Sequence, residues 1–288
     1  MEYFLFLPQM RMDLDVIVEK AQGAEAAGFD GIALMDHLAP PLAEQTGMYE
    51  AITTAKWIAA HTQRLAIGHL VLCDALRHPA VLAREAITLD HASGGRFELG
   101  IGSGSVPQEL VAYGVTEASA GGRIARLGET LDIVRALWGG DTVTYHGEHF
   151  HLTEAQQVPG PIGEIPIVIG GAGPKMMRLV ARHADWWNLP VNQIDRLDAM
   201  RDAAGGARPS IQQMVAFVPD EASRAAVTET AARRFGTMAG GLVTGDANEL
   251  VDHFGTLADR GIERTYVWFA DFARPETLAA FGSDVIGS

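Results

Sequence analysis

The chain has 288 residues, 48% of them hydrophobic, with a formal net charge of −14. That balance allows a sizeable buried core and excludes nucleic acid as the main partner, while an anionic ligand held by local donors remains compatible with it. A single cysteine, Cys73, excludes an internal disulfide and fits a reducing compartment, so a cytoplasmic location is expected.

The opening YFLFLP is too short for a secretory signal and lacks a basic lead. No stretch approaches the roughly 20 apolar residues of a membrane span. Residues 3–7 form the first apolar run, and a helix is predicted over 13–28, with Ile17, Ala21, Ala24 and Gly28 on one stripe and Asp13 as N-cap. The second run, 31–35, precedes a helix over 47–61. The third, 65–72, precedes a helix over 80–92 that Pro79 can start. The fourth, 96–101, is followed by a helix over 123–137, and residues 142–152 read as a polar hairpin turning at Gly147. The fifth run is 165–169, with a helix over 175–183, and the sixth is the short 186–189. The seventh, 212–218, leads to a helix over 221–235. A helix over 246–260, closed by Gly261, precedes the eighth run, 265–269.

Strands alternating with helices predict a parallel sheet, and continuously apolar runs such as Ile165, Ile167, Val168 and Ile169 predict strands covered on both faces. Eight units in order predict a closed α/β fold, a (β/α)8 TIM barrel, with an open doubly wound sheet as the rival. Residues 139–166 read as an insertion segment, and no linker divides residues 1–288, so one domain is expected.

In such a barrel the active site lies where the strands end. The second strand ends on Asp36 and His37, two titratable residues directly after an apolar run. His37 is a candidate proton donor or acceptor, though a lone histidine after a strand also serves as a hydrogen-bonded structural residue. The third strand exits through Cys73, Asp74, Arg77 and His78. The fourth exits as LGIGSGSVPQE, where Gly100, Gly102 and Gly104 allow close backbone approach and Ser103 and Ser105 offer hydroxyls. Pro107 then starts a helix whose free N–H groups favour an anion. The fifth exits as IVIGGAGPKMMR, with Gly170, Gly171, Ala172 and Gly173 between strand and helix and Lys175 and Arg178 in the first turns. Either turn alone also serves geometry only. Two on neighbouring strands mark a phosphate site.

Other chemistries fit less well. GIGSGS lacks the third glycine of a dinucleotide fingerprint, since Ser105 stands there, and no acidic strand end follows at the right distance, which weakens a Rossmann-type dehydrogenase. His69, His78, His91 and the His146, His149, His151 group lack metal-ligand spacing, so no metal is expected. Cys73 has no catalytic motif around it, and Trp186 and Trp187 read as wall packing.

Four segments together resemble the bacterial-luciferase-like family of flavin- or deazaflavin-dependent oxidoreductases: AEAAGFDGIALMDH, RHPAVLAREAITLDHASGGRFELGIGSGS, PIVIGGAGPKMMRLVARHADWWN and VTGDANELVDHFGTLADRGIERTYVWF. The resemblance implies a flavin ring at the C-terminal mouth and a cofactor phosphate between the fourth and fifth strand ends. It implies that Asp36 meets the cofactor and His37 faces the substrate, as in members using the deazaflavin F420. It also implies a non-proline cis peptide at Leu70–Val71 bracing the ring. The chain departs from the family's sugar-phosphate dehydrogenases. Ser105 replaces their catalytic glutamate, the loop 38–41 lacks their tryptophan, and Gln9 rather than a glutamate follows the first strand. Glu109, one helical turn beyond Ser105, carries no assignment. The expected function is hydride transfer between F420 and a small organic substrate. The alternatives are an FMN-dependent monooxygenase served by a separate flavin reductase and a non-catalytic flavin-binding protein. A homodimer is implied by the same resemblance.

Overall fold

The computed structural model describes residues 1–41 and 46–288. Strand β1 (Glu2–Phe6) leads into helix α1 (Leu14–Ala26), and β2 (Gly31–Leu34) into α2 (Ala51–His61). The third strand comes in two pieces, β3 (Ala66–His69) and β4 (Leu72–Cys73), flanking a cis peptide between Leu70 and Val71, and α3 (Pro79–Ser93) follows. Next come β5 (Leu99–Gly102), the short α4 (Pro107–Ala112) and the long α5 (Ala120–Trp138). A hairpin of β6 (Val143–His146) and β7 (His151–Ala155) interrupts the alternation, which resumes with β8 (Ile167–Gly170), α6 (Pro174–His183) and β9 (Trp186–Leu189). The rest is α7 (Leu197–Arg201), β10 (Arg208–Phe217), α8 (Arg224–Phe235), β11 (Leu242–Gly245), α9 (Ala247–Asp259), β12 (Arg264–Phe269) and α10 (Pro275–Phe281).

Ten strands form one parallel sheet in the order β3-β2-β1-β12-β10-β9-β8-β5-β4, with β11 paired to β10. Ile67 pairs with Phe97 just ahead of β5, and this closes the sheet into a barrel. Since β3 and β4 share one position, the ring has the eight positions the alternation predicts, plus β11 as an addition. The length of β10 explains the addition. Its first half pairs with β9, its second half with β11, and its other edge with β12. The seventh run therefore begins at Arg208, earlier than the predicted 212, because Pro209 reads as a breaker in sequence.

Two helix starts also differ from expectation. Asp13 occupies the N-cap of α1 without a side-chain bond. Helix α2 begins at Ala51, where the Glu50 carboxylate accepts from the N–H groups of Ile52 (3.0 Å) and Thr53 (2.6 Å).

The barrel strands bury both faces. Their outward residues (Leu5, Ile32, Ile67, Leu99, Ile167, Trp187) pack against the helices, and inward ones (Phe4, Phe6, Ala33, Met35, Tyr266) fill the interior. At the N-terminal end the Arg264 guanidinium forks onto Glu98 at 2.6 and 2.9 Å and lies between the rings of Phe4 (3.9 Å) and Trp186 (3.7 Å). This plug makes a packed floor and leaves space only at the other end. Among the described residues no helix is long and apolar enough to cross a membrane.

Candidate active site

The strand ends enclose a cavity of about 930 Å³. It is lined by Asp36 and His37 after β2, by Leu70 and Val71 at the break in the third strand, by Gly102, Ser103, Gly104 and Ser105 after β5, and by Gly170, Gly171, Ala172 and Gly173 after β8. Asp36, His37, the Leu70–Val71 break and both glycine turns from Gly102 and Gly170 thus reach one space, whereas Asp74, Arg77 and His78 at the third strand exit do not line it. Lys175 and Arg178 do not line it, and the Arg178 guanidinium turns back to the Pro174 carbonyl of its own helix at 3.4 Å.

Asp36 is buried, and its carboxylate is already engaged. Arg77 grips it with both terminal nitrogens, at 2.5 and 3.1 Å, and the Cys73 N–H donates to it at 2.7 Å. Arg77 also donates to Glu50 at 2.7 Å. Burial pushes the Glu50 carboxyl up, but donation from Thr53, Ile52 and Arg77 outweighs it and holds the group at about 2. Burial alone would lower Arg77, yet its two carboxylate partners raise it. Asp36 lines the cavity where the resemblance puts the cofactor, and its pairing with Arg77 also ties the second strand end to the third. Gln9 adds a similar tie. Fully buried, it donates to the Met35 carbonyl (2.5 Å) and accepts from the Met35 N–H (3.2 Å), fixing the residue before Asp36.

His37 is held from across the mouth. Its Nδ1 lies 2.8 Å from Glu109 Oε2, while Glu109 Oε1 accepts from the N–H groups of Leu38 (2.6 Å) and Ala39 (3.0 Å). A carboxylate only accepts, so Nδ1 carries the proton and Nε2 is the nitrogen left to exchange one. Sequence reading left Glu109 unassigned. Its place one turn into the helix after the glycine turn was the available signal, but the partner 72 residues away was not readable.

The glycine turns are shaped by close contacts. A Cβ on Gly102 would lie 2.8 Å from Val71 Cγ2, so the side chain after the cis bond occupies the space this glycine vacates. Gly171 has φ +131°, a conformation open to glycine, and its carbonyl accepts from Trp187 Nε1 at 2.8 Å. Arg123, buried beneath, donates to the Ser103 carbonyl (3.1 Å) and the Ala118 carbonyl (2.7 Å). Helix α6 starts at Gly173 with no side-chain cap, which leaves its first-turn N–H groups for an anion. These features fit a phosphate-bearing ring cofactor: a glycine-lined cradle, a backing at Leu70 and Val71, and unfilled helix donors.

The rest of the wall comes from Phe6, Met10, Met35, Trp268 and Phe272, with Arg11, Arg234, Asn188 and Gln212 as its polar members. Cys73 also lines the cavity, but burial pushes its thiol up, which disfavours a thiolate. Trp186 and Trp187 are buried as expected but do not line the cavity: Trp186 packs in the floor, and Trp187 holds the Gly171 turn from behind. Arg77 and Arg234 were missed as site residues; each sits where an arginine reads as a solvated charge.

The closed barrel thus carries two glycine turns and a histidine–carboxylate pair at one mouth. The family model described as luciferase-like monooxygenase matches residues 1–268, and the chain belongs to that family. An F420-dependent glucose-6-phosphate dehydrogenase of Nakamurella multipartita is 34% identical over 170 residues, covering 59% of this chain and 50% of that protein. The chain spans about half the length of the curated relatives it matches. Among solved structures, an F420-dependent secondary alcohol dehydrogenase superposes with TM-score 0.84 at 19% identity, covering 99% of this chain and 98% of the other. The monooxygenase RslO1 of Streptomyces bottropensis gives TM-score 0.83 at 19% identity, covering 100% and 99%. At such identities these two likenesses speak for the fold.

Proposed function

We propose that the chain is an F420-dependent oxidoreductase acting between the deazaflavin and a small organic substrate. The observation that carries this reading is the His37–Glu109 pair on one side of a cavity whose other side bears the Leu70–Val71 break and both glycine turns. The F420 dependence of the curated relatives supports it.

When bound, F420 would supply the hydride chemistry. The protein's part is assigned as follows. Ser103, Gly104, Ser105 and the turn Gly170, Gly171, Ala172, Gly173 hold the phosphate and tail, with the N-terminus of α6 behind them. Leu70 and Val71 support the ring. Asp36, through Arg77, keeps the second and third strand ends in register. His37 Nε2 holds or moves one proton, and Glu109 keeps Nδ1 protonated so that the ring presents the correct nitrogen. Met10, Met35 and Phe272 exclude water. A sugar phosphate is not assigned as substrate, because Ser105 stands where the sugar-phosphate enzymes of the resemblance have their acid.

Titrating the purified chain with F420 and with FMN, read by tryptophan fluorescence, tests this. Tight F420 binding with weak FMN binding is expected. FMN binding without F420 affinity would replace this reading with an FMN-dependent monooxygenase fed by a separate reductase. Binding with no turnover of any acceptor would leave a non-catalytic flavin-binding protein. The same reading includes a homodimer, for which the exposed Trp57 on α2 and Val81 on the adjacent α3 offer apolar surface; sedimentation measures it.

A further inference from the structure

The half of the cavity away from the glycine turns contains two buried donors with nothing to bond. Arg234 rises from α8, and its Nη1 donates to the carbonyls of Phe269 (2.9 Å) and Ala270 (2.6 Å) at the end of β12. The guanidinium lies over the Phe272 ring, 3.2 Å from its centroid. Its Nη2 is buried and has no acceptor among the described residues. Trp268 is the second case. Its Nε1 is buried and unpartnered, and its ring packs edge-on against Phe235, over which Arg234 also lies. Both residues line the cavity. A buried donor left unpaired is destabilising, more so when charged, and an acceptor brought by a ligand removes that cost.

Among the described residues no carboxylate meets this demand. Asp36 is spent on Arg77 and Glu109 on His37. Asp271, the acid whose field reaches Arg234, accepts from the Thr277 hydroxyl and the Ala273 N–H. Arg11 also lines the cavity and has no ion pair among the described residues. Burial, with Arg11 adding and Asp271 opposing, lowers the Arg234 guanidinium to about 10, so it remains charged at neutral pH. In a chain of net charge −14, the ligand space thus holds two cations without a carboxylate partner. Arg11 follows β1, and Arg234 caps β12 from the helix after β10. The glycine turns follow β5 and β8, across the ring of strands. An anion on the arginine side is therefore separate from one in the glycine cradle.

Resting on the F420-dependent reading of this cavity, we propose that the substrate is a small carboxylic acid whose carboxylate is held by Arg234, with Arg11 and the Trp268 N–H beside it. The remaining apolar wall of Phe6, Met10 and Phe272 takes the body of the molecule.

Calorimetric titration of the full chain with hexanoate and with hexanamide, matched in shape and differing in charge, tests the assignment, with and without F420. Hexanoate should bind about tenfold or more tightly than hexanamide, the scale of a charge-assisted hydrogen bond over a neutral one. Arg234→Gln should reduce that preference to about twofold while F420 affinity holds, and Arg234→Lys should keep part of it. Trp268→Phe keeps the ring, removes the N–H and should weaken hexanoate alone by a few fold, so a decision remains if Arg234→Gln does not fold. Equal binding of acid and amide by the unaltered chain overturns the proposal. Parallel loss of F420 and hexanoate binding in Arg234→Gln overturns it too, by assigning the arginine to the cofactor. Tighter binding of butyl phosphate than of hexanoate overturns the carboxylate assignment. Preference for hexanoate without any F420 affinity would sink the cofactor reading and leave this one standing.

Discussion

His37 Nδ1 and Glu109 Oε2 lie 2.8 Å apart although 72 residues separate them in the chain. Glu109 binds the next two backbone N–H groups as well, so one carboxylate sets both the ring and the loop that carries it. With hydride transfer from F420 as the assay, His37→Ala should lower kcat about 10²–10⁴-fold, the usual worth of a positioned acid–base group. Glu109→Gln should cost a similar factor, because an amide that donates to Nδ1 selects the opposite tautomer. In both variants F420 affinity, read by fluorescence titration, should hold. Unchanged kcat in His37→Ala removes the assignment.

Gly102 faces Val71 across a gap with no room for a methyl group. Gly102→Ala places Cβ 2.8 Å from Val71 Cγ2 and must push the side chain proposed to support the cofactor ring. Overpacking of this kind costs about 1–3 kcal/mol in stability. The sharper expectation is a loss of F420 affinity greater than the fall in melting temperature explains. Equal affinity in the variant would show that this wall does not meet the ring.

The Asp36–Arg77 pair is nearly inaccessible, with side chains 3% and 12% exposed. Removing one partner strands a buried charge, which costs about 3–5 kcal/mol. Arg77→Leu should therefore lower the melting temperature by on the order of 10 °C. Asp36→Asn should do less, since an amide still accepts from the Cys73 N–H. If Arg77→Leu melts like the parent, the pair is not bracing the strand ends.

His69 gives a pH dependence of defined sign. Both ring nitrogens are buried, and neither makes a well-formed hydrogen bond among the described residues, although the Ala51 backbone lies close enough to favour the protonated ring. Burial lowers its pKa from 6.5 to about 4, against the opposing fields of Asp36 and Glu50 and with that of Arg77. Between those values the unfolded chain binds a proton that the folded chain refuses, so stability is full above pH 6.5 and falls as pH drops toward 4. The loss by pH 4 is about 3 kcal/mol at most. Melting curves at pH 7.5 and 5 should diverge for the parent and diverge less for His69→Leu, which lacks this one site while His183 and His253 still titrate in the same direction. An undiminished divergence in the variant would place the titration elsewhere.

The barrel was legible because its period is local. Each apolar run and each helical stripe is written within one stretch, and the eight positions follow in order. Strand β11 was not legible: LVTG is four residues long, half-buried, and exists because β10 is long enough to hold a second neighbour. The glycine turns and the Asp36–His37 corner were found for the same local reason. The bonds that define them were not, because Arg77, Glu109 and Gln9 reach their partners only after the ring has closed. Arg234 was least visible of all. An Arg–Arg pair near the end of a helix reads as solvated charge, and only the crossing of α8 over the end of β12 buries one of the two.

The Arg264–Glu98 plug beneath Tyr266 also governs traffic. With its guanidinium clamped between two aromatic rings and forked onto a buried acid, the described residues fill the lower end of the barrel and leave no second door there. Everything that enters the mouth must leave by it. Two molecules sharing such a dead-end chamber form a queue, in which the one lodged deeper departs only after the one nearer the rim, so the reaction should show a compulsory order of release.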